Sequence, residues 1–140
     1  MSATAEFTLT NTLAAIGIAG LFISLSSLIK EPERQKFNAI LVGGAGAAYL
    51  SGGLGLWEFA FCTLMTYIAY KGLQHYYYIG IAWLLHTCWD VVHHLYAHPI
   101  VPFVPTSSAG CAICDSILAV WFFMGAPSVF NRFKYQAKTA

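Results

Sequence analysis

His75–Ala97 reads HYYYIGIAWLLHTCWDVVHHLYA. Its first half is apolar and aromatic. His86, Asp90, His93 and His94 all fall in the second half. A helix turns about 100° per residue, so His86, Asp90 and His93 lie within an arc of about 60°, and His94 widens it to about 100°. The spacing predicts a helix with one polar face and an apolar remainder.

The chain around this stretch shares its apolar character. Of 140 residues, 58% are hydrophobic and 9% charged, and the mean hydropathy is +0.62. Soluble domains carry about 25% charged residues. A bilayer is the solvent that suits so much apolar surface, and its core takes about 20 apolar residues per helix. The sequence therefore predicts an all-α, polytopic transmembrane bundle of about five helices, at 11–29, 37–54, 56–70, 75–97 and 111–130, in a single domain over 1–140. The first apolar run has no positive segment before it and continues to Ile29, too long for a signal-peptide core, so it reads as a retained helix. With net charge +1 and no basic tract, nucleic-acid binding has no electrostatic support.

The basic residues predict the topology. They occur after helix one (Lys30, Arg34, Lys36), after helix three (Lys71) and after helix five (Arg132, Lys134, Lys138). Five helices put all three places on one side, which the positive-inside rule makes cytoplasmic. The expected location is the plasma (inner) membrane, with the N-terminus outside and the C-terminus inside. Helix two is rich in small residues, including Gly43, Gly44, Gly46, Ala47 and Ala48. Such residues let helices approach closely in lipid. They serve packing within the chain first, and a homo-oligomer is the other use.

This topology gathers the polar residues into one layer. Helix four runs outward, helix three begins outside with Glu58, and helix five begins outside with Cys111, Cys114 and Asp115. All three intramembrane carboxylates, Glu58, Asp90 and Asp115, then fall in the outer third of the bundle. Ionisable groups at that depth are costly and by default mark a functional interior. The uncharged connection PIVPFVPTSSAG has prolines at 99, 102 and 105, a spacing that favours extended backbone. It reads as either a lid over the outer mouth or a stiff connector.

The run HTCWDVVHHLYAHPIVPFVPTSSAGCAICDSILAVWFF resembles a family of small bacterial integral membrane proteins of unknown function. The matching elements are His86, Trp89, Asp90, His93, His94, Ser107, Ser108, Gly110, Cys111, Cys114 and Asp115. The resemblance implies a membrane bundle of about five helices and brings no activity with it.

Several chemistries compete for these residues. His86, Asp90, His93 and His94, with Cys111 and Cys114, have the donor types of an iron, zinc or copper site inside a bundle. Glu58 and Asp115 are further ligands or proton carriers in that reading, and the expected function is metal-dependent redox chemistry on a lipid, quinone or other lipophilic molecule. Cys111-x2-Cys114 at a helix start alternatively reads as the redox pair of a thiol–quinone oxidoreductase, although Cys62 and Cys88 form no second loop pair. A third reading makes Glu58, Asp90 and Asp115 the acids and bases of an enzyme acting on an isoprenoid or other lipid. Proton transport lacks comparable groups on the inner side, and haem lacks histidines on facing helices. The non-catalytic reading is a polar network in a structural membrane subunit.

Overall fold

The structure, a computed structural model, describes residues 7–51 and 53–131. The described residues form five α-helices and a short 3₁₀ segment, with no strand. The helices are α1 (Leu9–Leu28), α2 (Glu33–Ala47), α3 (Leu56–Gly72), α4 (Tyr76–Leu95) and α5 (Ser107–Phe123), and the 3₁₀ turn Ala48–Ser51 follows α2. Helix α4 is the centre of the bundle, packed on α5, α3 and α2, while α1 leans mainly on α5. The expected basic tail at Arg132, Lys134 and Lys138 lies outside the described residues.

Five helices stand where five are expected, but two of them are displaced along the chain. Helix two starts at Glu33 rather than 37. Pro32 at its entry lacks only an N–H that a first turn leaves free anyway, and Glu33 faces the positive end of the helix dipole. It ends at Ala47 rather than 54 and tightens into the 3₁₀ turn. Helix five starts at Ser107 rather than 111, since the two serines fasten its first turn to the preceding loop: Ser107 Oγ accepts from Val101 N at 3.0 Å, and Ser108 Oγ donates to His98 O at 2.9 Å. It closes at Phe123 rather than 130. Gly125, at φ 81°, donates to Phe122 O, and Ala126 N donates to Trp121 O, the paired bonds of a left-handed helix stop.

The Pro-rich connection is not extended. Val104 N bonds Val101 O and Ser107 N bonds Val104 O, so it runs as successive turns, and Phe103 at its tip is fully exposed with φ 74°. Turns win over polyproline backbone because the serines of α5 pull the loop back onto the helix end.

The chain exposes many apolar side chains and buries a set of polar ones within an otherwise apolar core. Leu13, Ile18, Leu21 and Leu25 of α1, Ile40 of α2, Phe59 of α3, Leu84 and Val91 of α4 and Val120 of α5 are all exposed. Arg34, Asn38, Glu58, His86, Asp90, His93 and Asp115 are buried. By length and composition, α1 is the one described helix that qualifies as able to cross a membrane, and α5 is a shorter apolar helix.

Side-chain bonds bring the described basic places to one end. Arg34 Nη1 donates to Ala126 O at 2.8 Å, beyond α5, and Gln35 Nε2 donates to Gly72 O at 3.0 Å, beside Lys71. Tyr76 Oη donates to Glu31 Oε1 at 2.6 Å, tying the start of α4 to the same end. At the opposite end, His98 lies against Gly53. A Cβ at Gly53 would stand 3.1 Å from that imidazole, and φ is 95°, so both the space and the backbone require glycine there. The small residues of α2 act within the chain: Gly43 faces Ala69 and Gly46 faces Met65, both on α3.

Candidate functional site

Helix α4 delivers the polar face that its sequence predicts. Asp90 and His93 are 0% exposed and His86 1%, while His94 is half-buried at the edge of the arc. Their partners divide them into two groups.

The first group centres on Glu58, in the first turn of α3. Its Oε1 accepts from Leu54 N at 3.2 Å and its Oε2 accepts from the Trp89 indole N–H at 3.0 Å. His93 Nε2 lies 3.1 Å from Oε1, but off the line of a hydrogen bond, and neither ring nitrogen of His93 has a hydrogen-bond partner among the described residues. Glu58 Oε1 thus holds the turn before α3 and Oε2 fastens α3 to α4. The His93 ring is held by its neighbours Tyr49, Trp89 and His98.

The second group is a chain of contacts across three helices. His86 Nε2 lies 3.2 Å from Val42 O on α2, and its Nδ1 lies 3.0 Å from Tyr49 Oη in the 3₁₀ turn. Tyr49 Oη stands 2.6 Å from Asp90 Oδ1. On α5, the buried Asp115 carboxyl is near enough to Asp90 for each to bear on the other's ionisation. A contact between two carboxyls joins two acceptors, so it closes only when one of them carries a proton. Asp90 Oδ2 has no hydrogen-bond partner among the described residues. Val42 offers only a carbonyl, which fixes a proton on His86 Nε2.

Asp115 has a second exposure. It lies at a cleft of about 320 Å³ between α1, the Pro-rich loop and α5, lined by Ala14, Ile18, Val101, Val104, Cys111 and Cys114 among others. The lining is largely apolar, and the cysteines stand on α5 beside the carboxyl. All four cysteines are free thiols. Cys111 is the fifth residue of α5 rather than its first, so the expected activation of its thiol at a helix start loses its geometric basis.

Among the described residues, no group of three or more His, Cys, Asp or Glu is placed to hold a metal ion. His86, one of the expected ligands, has both ring nitrogens engaged by Val42 and Tyr49. The residues that the fold does bring together are Asp90, Asp115 and His86, with Tyr49 as the member the sequence reading missed. Tyr49 is buried at 3% exposure, yet it lies 37 residues before His86 at the end of a glycine-rich helix. One signal pointed to it: a lone tyrosine hydroxyl within an otherwise small and apolar run.

Five α-helices around this buried carboxyl–histidine network define an all-α bundle with a polar cluster in its core. The chain belongs to a family of unknown function, DUF6010, whose sequence profile matches residues 10–128. The match covers all five helices. No curated protein and no solved structure matches the chain.

Proposed function

We propose that this chain is a multi-pass protein of the plasma membrane, N-terminus outside and C-terminus inside, that performs acid–base chemistry on a lipophilic substrate. The exposed apolar side chains and the ionisable cluster buried in the core support the membrane reading. A 20-residue helix such as α1 spans about 30 Å, the thickness of a bilayer core. The convergence of Lys30, Arg34, Lys36 and Lys71 at one end of the bundle supports the orientation.

One observation carries the chemical reading: two buried carboxyls meet where an apolar cleft reaches Asp115. The cleft suits a hydrocarbon chain, and the pair suits proton transfer to and from it. Asp115 gives its proton to one carbon of a carbon–carbon double bond, and the π electrons form the new C–H bond. A carboxylate of the pair then takes a proton from the neighbouring carbon, whose C–H electrons form the shifted double bond. The sum is an isomerisation that consumes no proton and needs no oxidant. A lipid of isoprenoid type, with its substituted double bonds, fits that requirement. The apolar walls at Ile18, Val101 and Val104 present no nucleophile to the cationic intermediate.

The test is conversion of a lipid. Wild-type protein in vesicles made from the host cell's total lipid is expected to turn one species into an isomer of equal mass, resolved by chromatography and mass spectrometry. Conversion is expected to persist in chelator and in Cys111→Ala/Cys114→Ala. No conversion by the wild type overturns the reading. Loss in chelator hands the site to the iron, zinc or copper chemistry expected from the sequence. Loss in the double cysteine variant, with a product two hydrogens heavier or lighter, hands it to a thiol–quinone reaction.

A further inference from the structure

We infer that Tyr49 is a proton relay joining His86 to the Asp90–Asp115 pair, and that His86 is the proton reserve of that pair. The inference rests on the reading of the two aspartates as a proton-holding pair. It assigns a task to two residues that the isomerisation does not itself use.

The inference comes from counting hydrogens. The chain Val42–His86–Tyr49–Asp90 contains three contacts, at 3.2, 3.0 and 2.6 Å, and the proposed pairing of Asp90 with Asp115 adds a fourth. Each contact needs one hydrogen between its heavy atoms. A neutral imidazole supplies one, to Val42 O, and the phenol supplies one. Two more are therefore required, and the only places for them are His86 Nδ1, Asp90 and Asp115. Adding two protons to two carboxylates, a neutral imidazole and a phenol gives a cluster of zero net charge. A water-poor interior favours that total, since an unbalanced buried charge costs several kcal/mol.

Two arrangements satisfy all four contacts. In the first, both carboxyls are protonated: Asp115 donates to Asp90, Asp90 donates to Tyr49 Oη, and the phenol donates to His86 Nδ1. In the second, His86 is an imidazolium that donates to Tyr49 Oη, the phenol donates to Asp90 Oδ1, and Asp115 still donates to the Asp90 carboxylate. They differ by a concerted shift of two protons, from Nδ1 to Oη and from Oη to Oδ1. The phenol loses and gains one proton, no heavy atom moves, and no bond to carbon changes. No other route between His86 and Asp90 appears in the hydrogen bonds among the described residues. The Tyr49 ring is held between Phe61, His86 and His93, which keeps its hydroxyl on the line between them. A substrate that draws a proton from the pair therefore draws on His86 through Tyr49.

The experiment is magnetic resonance on protein in lipid vesicles with ¹⁵N-labelled histidine and ¹³C-labelled aspartate. The wild type is expected to show a His86 Nδ1 signal averaged between protonated and unprotonated positions. On warming, the imidazolium fraction and the Asp90 carboxylate fraction should change by equal amounts. Tyr49→Phe keeps the ring and removes the hydroxyl; it should move His86 Nδ1 to the unprotonated position and abolish the coupled change. A purely structural tyrosine leaves both signals as they were, and that result overturns the inference. Wild-type protein alone gives a second reading that needs no variant: exchange from H₂O into D₂O shifts the averaged Nδ1 signal if the two arrangements interconvert, and an absent shift also overturns the relay. These results stand apart from lipid conversion. A coupled response without conversion removes the isomerisation and keeps the relay, whereas conversion without a coupled response does the reverse.

Discussion

Replacing Asp115 by Asn is expected to lower the proposed lipid conversion by about 100- to 10,000-fold, the range for removal of a general acid, and to leave the unfolding temperature close to that of the wild type. The asymmetry follows from the contact with Asp90. An amide N–H takes over the donation that the Asp115 carboxyl makes, so the four-contact chain still closes and no buried acceptor is left bare. What the amide lacks is a proton it can release. Leucine at the same position does both kinds of damage. It removes the donor, strands Asp90 Oδ2 and lowers stability by about 1–3 kcal/mol, the cost of an unsatisfied buried polar group. Initial rates and melting curves of the two variants separate the readings. Equal rates for Asp115→Asn and wild type would assign the carboxyl to packing alone.

Gly46→Leu is expected to destabilise the helical scaffold. A Cβ at Gly46 would lie 2.9 Å from Met65 Cβ and 3.2 Å from Met65 Cγ. The Met65 Cβ is fixed to the α3 backbone, so relief requires the two helices to part. Replacing glycine inside a helix gains about 1 kcal/mol of propensity, but overpacking costs about 1–3 kcal/mol for added methylenes, and leucine adds three carbons beyond the Cβ. Destabilisation wins. Parting α2 from α3 also shifts Tyr49, three residues further on, away from Asp90. Gly44 is the control: a Cβ there meets nothing within 4 Å, so Gly44→Ala should stabilise by about 0.5–1 kcal/mol. Thermal unfolding in the same detergent should move down for Gly46→Leu and up for Gly44→Ala. Movement of both in one direction would contradict the assignment of α2's inner face.

The arc of His86, Asp90 and His93 was legible because helical periodicity is local and α4 is long enough to express it. That Lys30, Arg34, Lys36 and Lys71 share one end was legible for a similar reason, since connectivity alone decides which helix ends lie together. The helix ends themselves were less so. Ser107 and Ser108 read as loop residues until their bonds to Val101 and His98 are seen, and Ala97, at φ 57°, ends α4 in a conformation that favours glycine. The division of the site was hidden for a deeper reason. The expected topology places Glu58, Asp90 and Asp115 in one layer, but only side-chain geometry shows Glu58 engaged by Leu54 and Trp89 while Asp90 turns to Tyr49. Tyr49 was hidden because its partners come from tertiary packing alone.

The central claim is that Asp90 and Asp115 meet as a pair that holds a proton at the end of a lipid-facing cleft. Infrared spectroscopy of the protein in lipid, read as differences between wild type and Asp90→Asn and between wild type and Asp115→Asn, tests it most directly. A carbonyl stretch of a protonated carboxylic acid, present in the wild type and lost or shifted in each variant, is the predicted result. Two difference spectra that contain only carboxylate bands would contradict it.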